Sequence, residues 1–179
     1  LPPYMKREEE LADRERYQTV YSRPVGSMAA PTAGLHFTPE LISQIRERGA
    51  KIVYITLHVG AGTWMPVKTD DISEHKMHSE WGCITRNQAR MINKAKRVIA
   101  IGTTSLRLLE SAARICQDPT KRVAPFCETT DIFITPGYKF RAVDVLLTNF
   151  HLPKSTLLML ISALAGKEFI QSAYAQAIE

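Results

Sequence analysis

Apolar and polar residues alternate along this chain with helical and strand-like periods. Thr38 followed by Pro39 is typical of a helix start, and Gly49 ends the helix that follows. Residues 51–59 then show the two-faced alternation of a strand. This regular exchange of helix and strand favours an α/β fold, a layered α/β/α domain with a mixed, largely parallel sheet.

Later segments continue the pattern. Thr85 and Gln88 have the spacing of a capping box at a helix start, and the nearly all-apolar helix that ends at residue 165 is expected to be buried. The other predicted segments are a short helix within 8–21, a helix over 85–96, strands at 97–101, 131–135 and 144–150, a helix at 106–115 and an amphipathic helix at 169–178.

The composition agrees with one ordinary domain. The chain has 179 residues, of which 45% are hydrophobic and 23% charged, and this argues against a disordered chain. A net charge of +5 permits a polyanionic partner without requiring one. The longest apolar run, 157–164, is far shorter than the segment that a membrane-spanning helix needs.

The three cysteines lack CxxC spacing, so reduced thiols in a cytoplasmic protein are expected, rather than a zinc site or a disulfide scaffold.

Two strand-to-helix turns are candidates for ligand binding. In the first, Gly102 allows a tight turn, and the helix that follows directs free N–H groups toward an anion, with Arg107 as a further donor. The alternative is a plain helix cap with a solvated arginine.

The second turn, 148–156, carries Asn, His, Lys and hydroxyl groups where open α/β sheets bind ligands. For this second turn, a role in ligand binding and a purely structural role as a helix cap are equally consistent with the sequence.

Histidine is the residue type best suited to proton transfer near neutral pH. His58 ends a strand beside flexible glycines, which suits a site position as well as an ordinary strand end. His75, His78 and Glu80 offer two imidazoles and a carboxylate, a possible zinc set, although the HExxH order is absent. A helical stripe of cations could face solvent or contact a polyanion; it comprises Arg86, Arg90, Lys94 and Arg97.

Several common catalytic motifs are absent. The sequence has no GxxxxGK[ST], no GxGxxG and no GxSxG, which argues against a P-loop ATPase, a Rossmann dehydrogenase and an α/β-hydrolase.

Five segments together resemble one known family. They are residues 29–37 (AAPTAGLHF), 56–63 (TLHVGAGT), 75–80 (HKMHSE), 102–107 (GTTSLR) and 148–157 (TNFHLPKSTL). The family is S-adenosylmethionine:tRNA ribosyltransferase-isomerase of bacterial queuosine biosynthesis, and the resemblance covers the whole chain in the family's order.

The resemblance implies an unusual use of S-adenosylmethionine as a ribosyl donor, with no metal. The ribosyl group is transferred to 7-aminomethyl-7-deazaguanine in the tRNA anticodon and isomerised, giving epoxyqueuosine-tRNA with release of adenine and methionine. A proton is first removed from the carbon next to the sulfonium, adenine leaves, the amine attacks, and the epoxide closes as methionine departs.

The resemblance also implies positions for the site. Catalytic candidates are His58, His75, His78, Glu80, Asp144 and His151. Substrate-binding candidates are Thr32, His36, Gly60, Gly62, Thr63, Gly102, Thr103, Thr104, Ser105, Arg107, Asn149, Lys154, Ser155 and Thr156. Histidines fit the proton transfers, Glu80 or Asp144 could stabilise the sulfonium, and the two turns could bind the methionine carboxylate or a tRNA phosphate.

Proteins of the family are about twice this long. The chain is therefore expected to be the C-terminal portion of the large catalytic domain, without the N-terminal part, the inserted β-barrel and the extreme C-terminus. A cytoplasmic monomer is expected. The alternatives are a non-catalytic tRNA-binding module, which would bind tRNA without consuming S-adenosylmethionine, and a metal-dependent hydrolase built on His75, His78 and Glu80.

Overall fold

The computed structural model describes residues 7–8, 10–27, 29–60 and 77–179. Its α-helices are α1 (Asp13–Arg16), α2 (Pro39–Glu47), α3 (Arg86–Asn93), α4 (Thr103–Arg114), α5 (Thr156–Ala165) and α6 (Lys167–Ile178). Its strands are β1 (Thr56–His58), β2 (Glu80–Ile84), β3 (Ile99–Ile101), β4 (Phe126–Thr130) and β5 (Val145–Leu147). A 3-10 turn spans Thr32–His36.

The described strands form two small sheets. One is antiparallel with the order β1-β2-β4, and the other is the parallel pair β3-β5. The α/β class is thus confirmed, while parallel pairing within the described ranges is confined to β3 and β5. Strands β3 and β5 can pair in parallel because the long connection between them, which includes α4, returns the chain to the same end of the sheet.

Helix α4 is the centre of the core. It packs against β1, β2, β3 and β4, and nearly every residue from Leu106 to Ala113 is buried. Its close approach to β2 depends on Gly82, where a Cβ would lie only 2.7 Å from Leu108 Cδ1. The position of α4 fixes its N-terminus at the edge where β3 ends.

The cap signals in the sequence are confirmed. Thr38 accepts a hydrogen bond from Leu41 N at the start of α2, with Pro39 at the first helical position. Thr85 and Gln88 form both halves of a capping box at the start of α3. These local arrangements could be predicted because each depends on residues at most three positions apart.

The predicted strand at 131–135 is wrong. Ile132 and Ile134 are buried as the alternation requires, but the strand in this region is β4, which ends at Thr130. The carbonyl of Ile132 accepts a hydrogen bond from Arg107 Nε instead of from a neighbouring strand. Strand β4 itself was missed because its central residues are polar and exposed.

Several other segments are shorter than predicted. Residues 51–59 contain only β1, residues 144–150 contain only β5, and the N-terminal helix is a single turn, α1. In α5 only Leu160 and Ile161 are fully buried, so the helix is less covered than its composition indicates. None of the helices in the described ranges is both long and apolar enough to cross a membrane.

The cysteines differ from expectation. Cys83 and Cys127 are directly opposite each other on β2 and β4, with Cα atoms 4.0 Å apart, and they form a disulfide. Only Cys116 is free, and it is buried. The expectation of three reduced thiols is corrected because strand register brings together two cysteines 44 positions apart, which spacing does not reveal.

Candidate functional site

The candidate site lies where β3 and β5 end. Parallel strands present their carboxyl ends at one edge, and Gly102 N donates to the carbonyl of Leu147 at 2.8 Å, which joins the two ends. Gly102 has a φ of 88° and caps α4 without a side-chain hydrogen bond. A positive φ here is readily adopted only by glycine.

The 3-10 turn Thr32–His36 meets both strand ends. Thr32 Oγ1 donates to Asn149 Oδ1 at 2.9 Å, across 117 positions of sequence. On the other side, a Cβ built on Gly102 would lie 3.9 Å from Ala33 Cβ, which is ordinary contact. Three of the segments singled out in the sequence therefore converge: 29–37, 102–107 and 148–157.

His151 is the histidine held most firmly at this edge. Its Nε2 lies 3.2 Å from Thr148 Oγ1, and its backbone N–H donates to the hydroxyl of Tyr174 on α6 at 2.8 Å. Burial lowers the pKa of His151 from 6.5 to about 4. The imidazole is therefore neutral at pH 7, and the same burial makes it a weaker base than a free histidine.

The rest of this loop leads into α5. Lys154 has a φ of 56°, the one positive value at a non-glycine position in the described chain. Ser155 then caps α5 by accepting from Leu158 N at 3.2 Å, and it donates to the carbonyl of Leu152 at 2.7 Å. Thr156 is half-buried in the first turn. Backbone strain of this kind costs of order 1 kcal/mol and persists where the surrounding structure imposes it.

Arg107 and Glu80 do not face the open edge. Both are 4% exposed, and Arg107 Nη1 donates to Glu80 Oε2 at 2.5 Å, linking α4 to β2. Arg107 Nε donates to the Ile132 carbonyl. These two candidates therefore form an internal ion pair behind the site, while Thr103 is buried and Thr104 and Ser105 are half-buried at the N-terminus of α4.

Asp144 lies at the opposite end of the strands. Its carboxylate accepts from Val98 N at 2.7 Å and pairs with Arg122 Nη1 at 3.0 Å, and its pKa is lowered by these contacts against the opposing effect of burial. It precedes β5, whereas the site follows β5. In this placement the Asp144 carboxylate holds the start of the parallel pair together, and its role at the sulfonium stays a prediction.

His58 lies apart from His151, on the antiparallel sheet. Its ring is 5.2 Å from that of Trp81, the residue opposite it on β2, and its buried Nδ1 has no hydrogen-bond partner within the described ranges. Gly26 makes room for it, since a Cβ there would lie 2.9 Å from Nδ1. Gly60 follows β1 and is half-buried.

Some of the remaining candidate residues are exposed, and others lie outside the residues that the structure describes. His36 and His78 are exposed, at the end of the 3-10 turn and just before β2. His75, Gly62 and Thr63 lie outside the described residues. Among the described residues no group of three His, Cys, Asp or Glu side chains could hold a metal ion.

Two contributors at this edge were missed from sequence. Thr148 holds the ring of His151, and Tyr174 holds its backbone. Thr148 lies within a segment that had already been singled out, so its contact could have been suggested. Tyr174 lies on α6, and from the sequence its aromatic ring is predicted to belong to the apolar face of that helix. The partner of its hydroxyl group is known only from the three-dimensional packing.

The whole chain is similar in sequence to proteins of one known family. A family model described as "Queuosine biosynthesis protein" matches residues 1–179. Among curated relatives, proteins named S-adenosylmethionine:tRNA ribosyltransferase-isomerase are 56% identical in Caulobacter vibrioides (99% of this chain, 49% of the relative) and 57% identical in Rhodopseudomonas palustris (100% and 50%). The chain spans about half the length of the curated relatives it matches.

A solved structure supports the same likeness. The crystal structure of S-adenosylmethionine tRNA ribosyltransferase from Thermotoga maritima aligns with a TM-score of 0.64 and 37% sequence identity. The alignment covers 82% of this chain and 45% of that one.

Proposed function

Since the chain belongs to the queuosine biosynthesis protein family, we propose that it carries catalytic groups of an S-adenosylmethionine:tRNA ribosyltransferase-isomerase. In this proposal it is the C-terminal portion of the large catalytic domain and acts in the cytoplasm as a monomer. The substrates are S-adenosylmethionine, as ribosyl donor, and a tRNA that carries 7-aminomethyl-7-deazaguanine.

The observation that carries the proposal is the convergence at the ends of β3 and β5. The hydrogen bond from Thr32 to Asn149 and the proximity of Ala33 to Gly102 bring together three segments that also carry the family resemblance. This hydrogen bond brings two polar segments together at the carboxyl ends of the parallel strands, which is where open α/β sheets bind their ligands.

His151 is proposed as the base for the first step. The reaction starts with removal of a proton from the carbon next to the sulfonium, and the imidazole of His151 is unprotonated at neutral pH, so that a ring nitrogen is free of a proton at the start of the step. In the later steps of the family's reaction, adenine leaves from the ribose and the aminomethyl nitrogen of the tRNA base forms the new bond to the sugar. Epoxide closure breaks the bond to sulfur, and methionine leaves.

The methionine carboxylate of S-adenosylmethionine is proposed to bind at the N-terminus of α4. No acidic residue occupies the first turn of α4, and no side chain caps it, so the N–H groups of Thr103, Thr104 and Ser105 can receive an anion. Arg107 is proposed to act from behind, through its pairing with Glu80, by holding α4 against β2. Lys154 supplies a second cation at the same edge, for the carboxylate or a tRNA phosphate.

Two other functions have weaker support. A metal-dependent hydrolase would use Glu80 as a ligand, but that carboxylate is buried against Arg107 and would have to break this ion pair. A tRNA-binding module without catalysis would not need a buried, neutral His151. The enzyme proposal accounts for both features.

The test is release of adenine. The purified chain is incubated with S-adenosylmethionine and tRNA bearing the aminomethyl-deazaguanine, and free adenine is measured by chromatography alongside a version extended to the length of the relatives. Adenine that appears only with that tRNA, in either version, supports the proposal. Absence of adenine from both versions would overturn it.

A matched pair of variants tests the assigned base. His151→Gln should reduce adenine release by about 100-fold or more, because general base catalysis typically contributes 10²–10⁴-fold. Glu128→Gln, a change on the exposed face of β4, should leave release unchanged. An unchanged rate in the His151 variant would remove this residue from the mechanism.

A further inference from the structure

A basic groove lies at the opposite end of the domain from the candidate site. It has a volume of about 530 Å³ and runs between α3 and the segment 116–125. Its charged lining residues are Arg86, Arg90, Lys94, Lys121 and Asp118. Four cations and one carboxylate give a local excess of three positive charges, which is large beside the net charge of +5 on the whole chain.

The groove has fixed walls. The Asn93 side chain at the end of α3 accepts from the backbone N–H groups of Arg122 and Val123 and donates to the carbonyl of Val123, all at 2.9 Å. These three hydrogen bonds join α3 to the facing segment, so the width of the groove is set by buried contacts. The backbone positions that carry the cations of the groove are therefore fixed relative to one another.

The four-residue spacing of the cations and the position of Arg86 would each destabilise an isolated helix. Arg86, Arg90 and Lys94 recur every four residues, and like charges at that spacing cost a few tenths of a kcal/mol per pair. Arg86 is also the first residue of α3, the end at which the helix dipole disfavours a cation, and no acidic residue lies in that turn. A bound polyanion would relieve both effects.

The single carboxylate does not oppose an anion strongly. Asp118 pairs with Lys121 at 2.8 Å and accepts from the backbone N–H and hydroxyl of Thr120, and these contacts hold its pKa below the usual value. Its charge is directed toward these partners. Arg86, Arg90 and Lys94 are exposed, and none of them faces a carboxylate within ion-pair distance in the part of the chain that is described.

We propose that this groove binds the phosphate backbone of the tRNA, away from the reacting base. The inference rests on the proposed function. Helix α4 has 12 residues and runs from the candidate site to the groove, a span of about 18 Å. At roughly 3.4 Å per nucleotide step, that is about five steps of a nucleic-acid helix. The RNA backbone that leads away from the modified base in the anticodon thus reaches the groove, and a row of cations matches a row of phosphates.

The test is the salt dependence of tRNA binding. Arg90→Gln combined with Lys94→Gln should reduce the slope of log K against log salt concentration by about 2, since each lost phosphate contact reduces it by nearly 1. The control is Lys51→Gln combined with Lys139→Gln, which removes the same charge from exposed positions outside the groove. Thermal unfolding of both double variants checks that the fold is kept.

The outcomes separate the groove from the proposed function. A reduced slope in the groove variant alone supports the proposal, and an equal reduction in both variants, or in neither, overturns it. Competition by polyglutamate at lower concentration than by tRNA would also overturn it, in favour of an acidic protein. Adenine release by the unaltered chain or its extended version remains the separate test of the enzymatic activity, and it holds whichever way the groove result falls.

Discussion

At the scale of single residues, the buried carboxylate of Glu110 organises more of the chain than any candidate chosen for chemistry. It is fully buried in α4 and accepts from the Tyr138 hydroxyl and from the backbone N–H groups of Arg141, Ala142 and Val143. These bonds hold the segment that leads into β5. A glutamate inside the apolar run LRLLESAA could have been noticed in the sequence, but its partners lie about 30 positions away.

Glu110→Ala is expected to lower the free energy of unfolding by about 3–5 kcal/mol, because it leaves buried backbone donors without an acceptor. Chemical denaturation of the variant and of the unaltered chain measures the difference. Glu128→Ala, at an exposed position on β4, is the control and should change stability by less than about 0.5 kcal/mol. Equal effects in the two variants would contradict the anchoring role.

His151 gives a second prediction at this scale. Its folded pKa, about 4, lies below the ordinary value of 6.5, so between these values the unfolded chain binds the proton more readily. Stability linked to His151 is therefore present above about pH 6.5 and is lost as pH falls toward 4. Titration of the imidazole by NMR should give a midpoint far below 6.5, and the loss of stability between pH 7 and 4.5 should be smaller in His151→Gln. A midpoint near 6.5 would contradict the burial argument.

At the scale of elements, local information predicted helix starts well and strand pairing poorly. Caps at Thr38 and Thr85 depend on neighbours a few positions away, so their residues identify them. Strand β4 has polar, exposed central residues and is defined by its pairing with β2. The disulfide between Cys83 and Cys127 follows from the same register. Pairing between distant segments leaves little trace in either segment alone.

The contact between β2 and α4 can be tested directly. Gly82→Ala should destabilise the chain by about 1–3 kcal/mol, because the added Cβ would lie 2.7 Å from Leu108 Cδ1. In a Leu108→Ala background the same change should cost little, since the colliding side chain is gone. The four proteins form a double-mutant cycle, and a coupling energy of at least about 1 kcal/mol is expected. A cost that is the same in both backgrounds would show that the helix can move away.

At the scale of the whole molecule, the sequence predicted the segments that form the candidate site more successfully than it predicted the role of each residue in them. The segments around Thr32, Gly102 and Asn149 were singled out separately and converge in the structure. Arg107 and Asp144 were also singled out, yet Arg107 forms a buried ion pair with Glu80 and Asp144 forms a partly exposed one with Arg122. Residue type shows what chemistry is possible, but burial and partners, which depend on the complete fold, decide whether it is available.

The convergence itself yields the last prediction. Thr32→Val removes the hydroxyl that joins the 3-10 turn to Asn149 while keeping a similar shape, whereas Thr32→Ser keeps the hydroxyl. If the hydrogen bond aligns the two halves of the site, adenine release should fall by about 10- to 100-fold in Thr32→Val, because small misplacements of positioning groups are costly to catalysis. Thr32→Ser should retain most of the activity. The comparison is made in the active form of the protein, with single-turnover adenine release as the measurement. Equal activity in the valine and serine variants would mean that the two segments align without this bond.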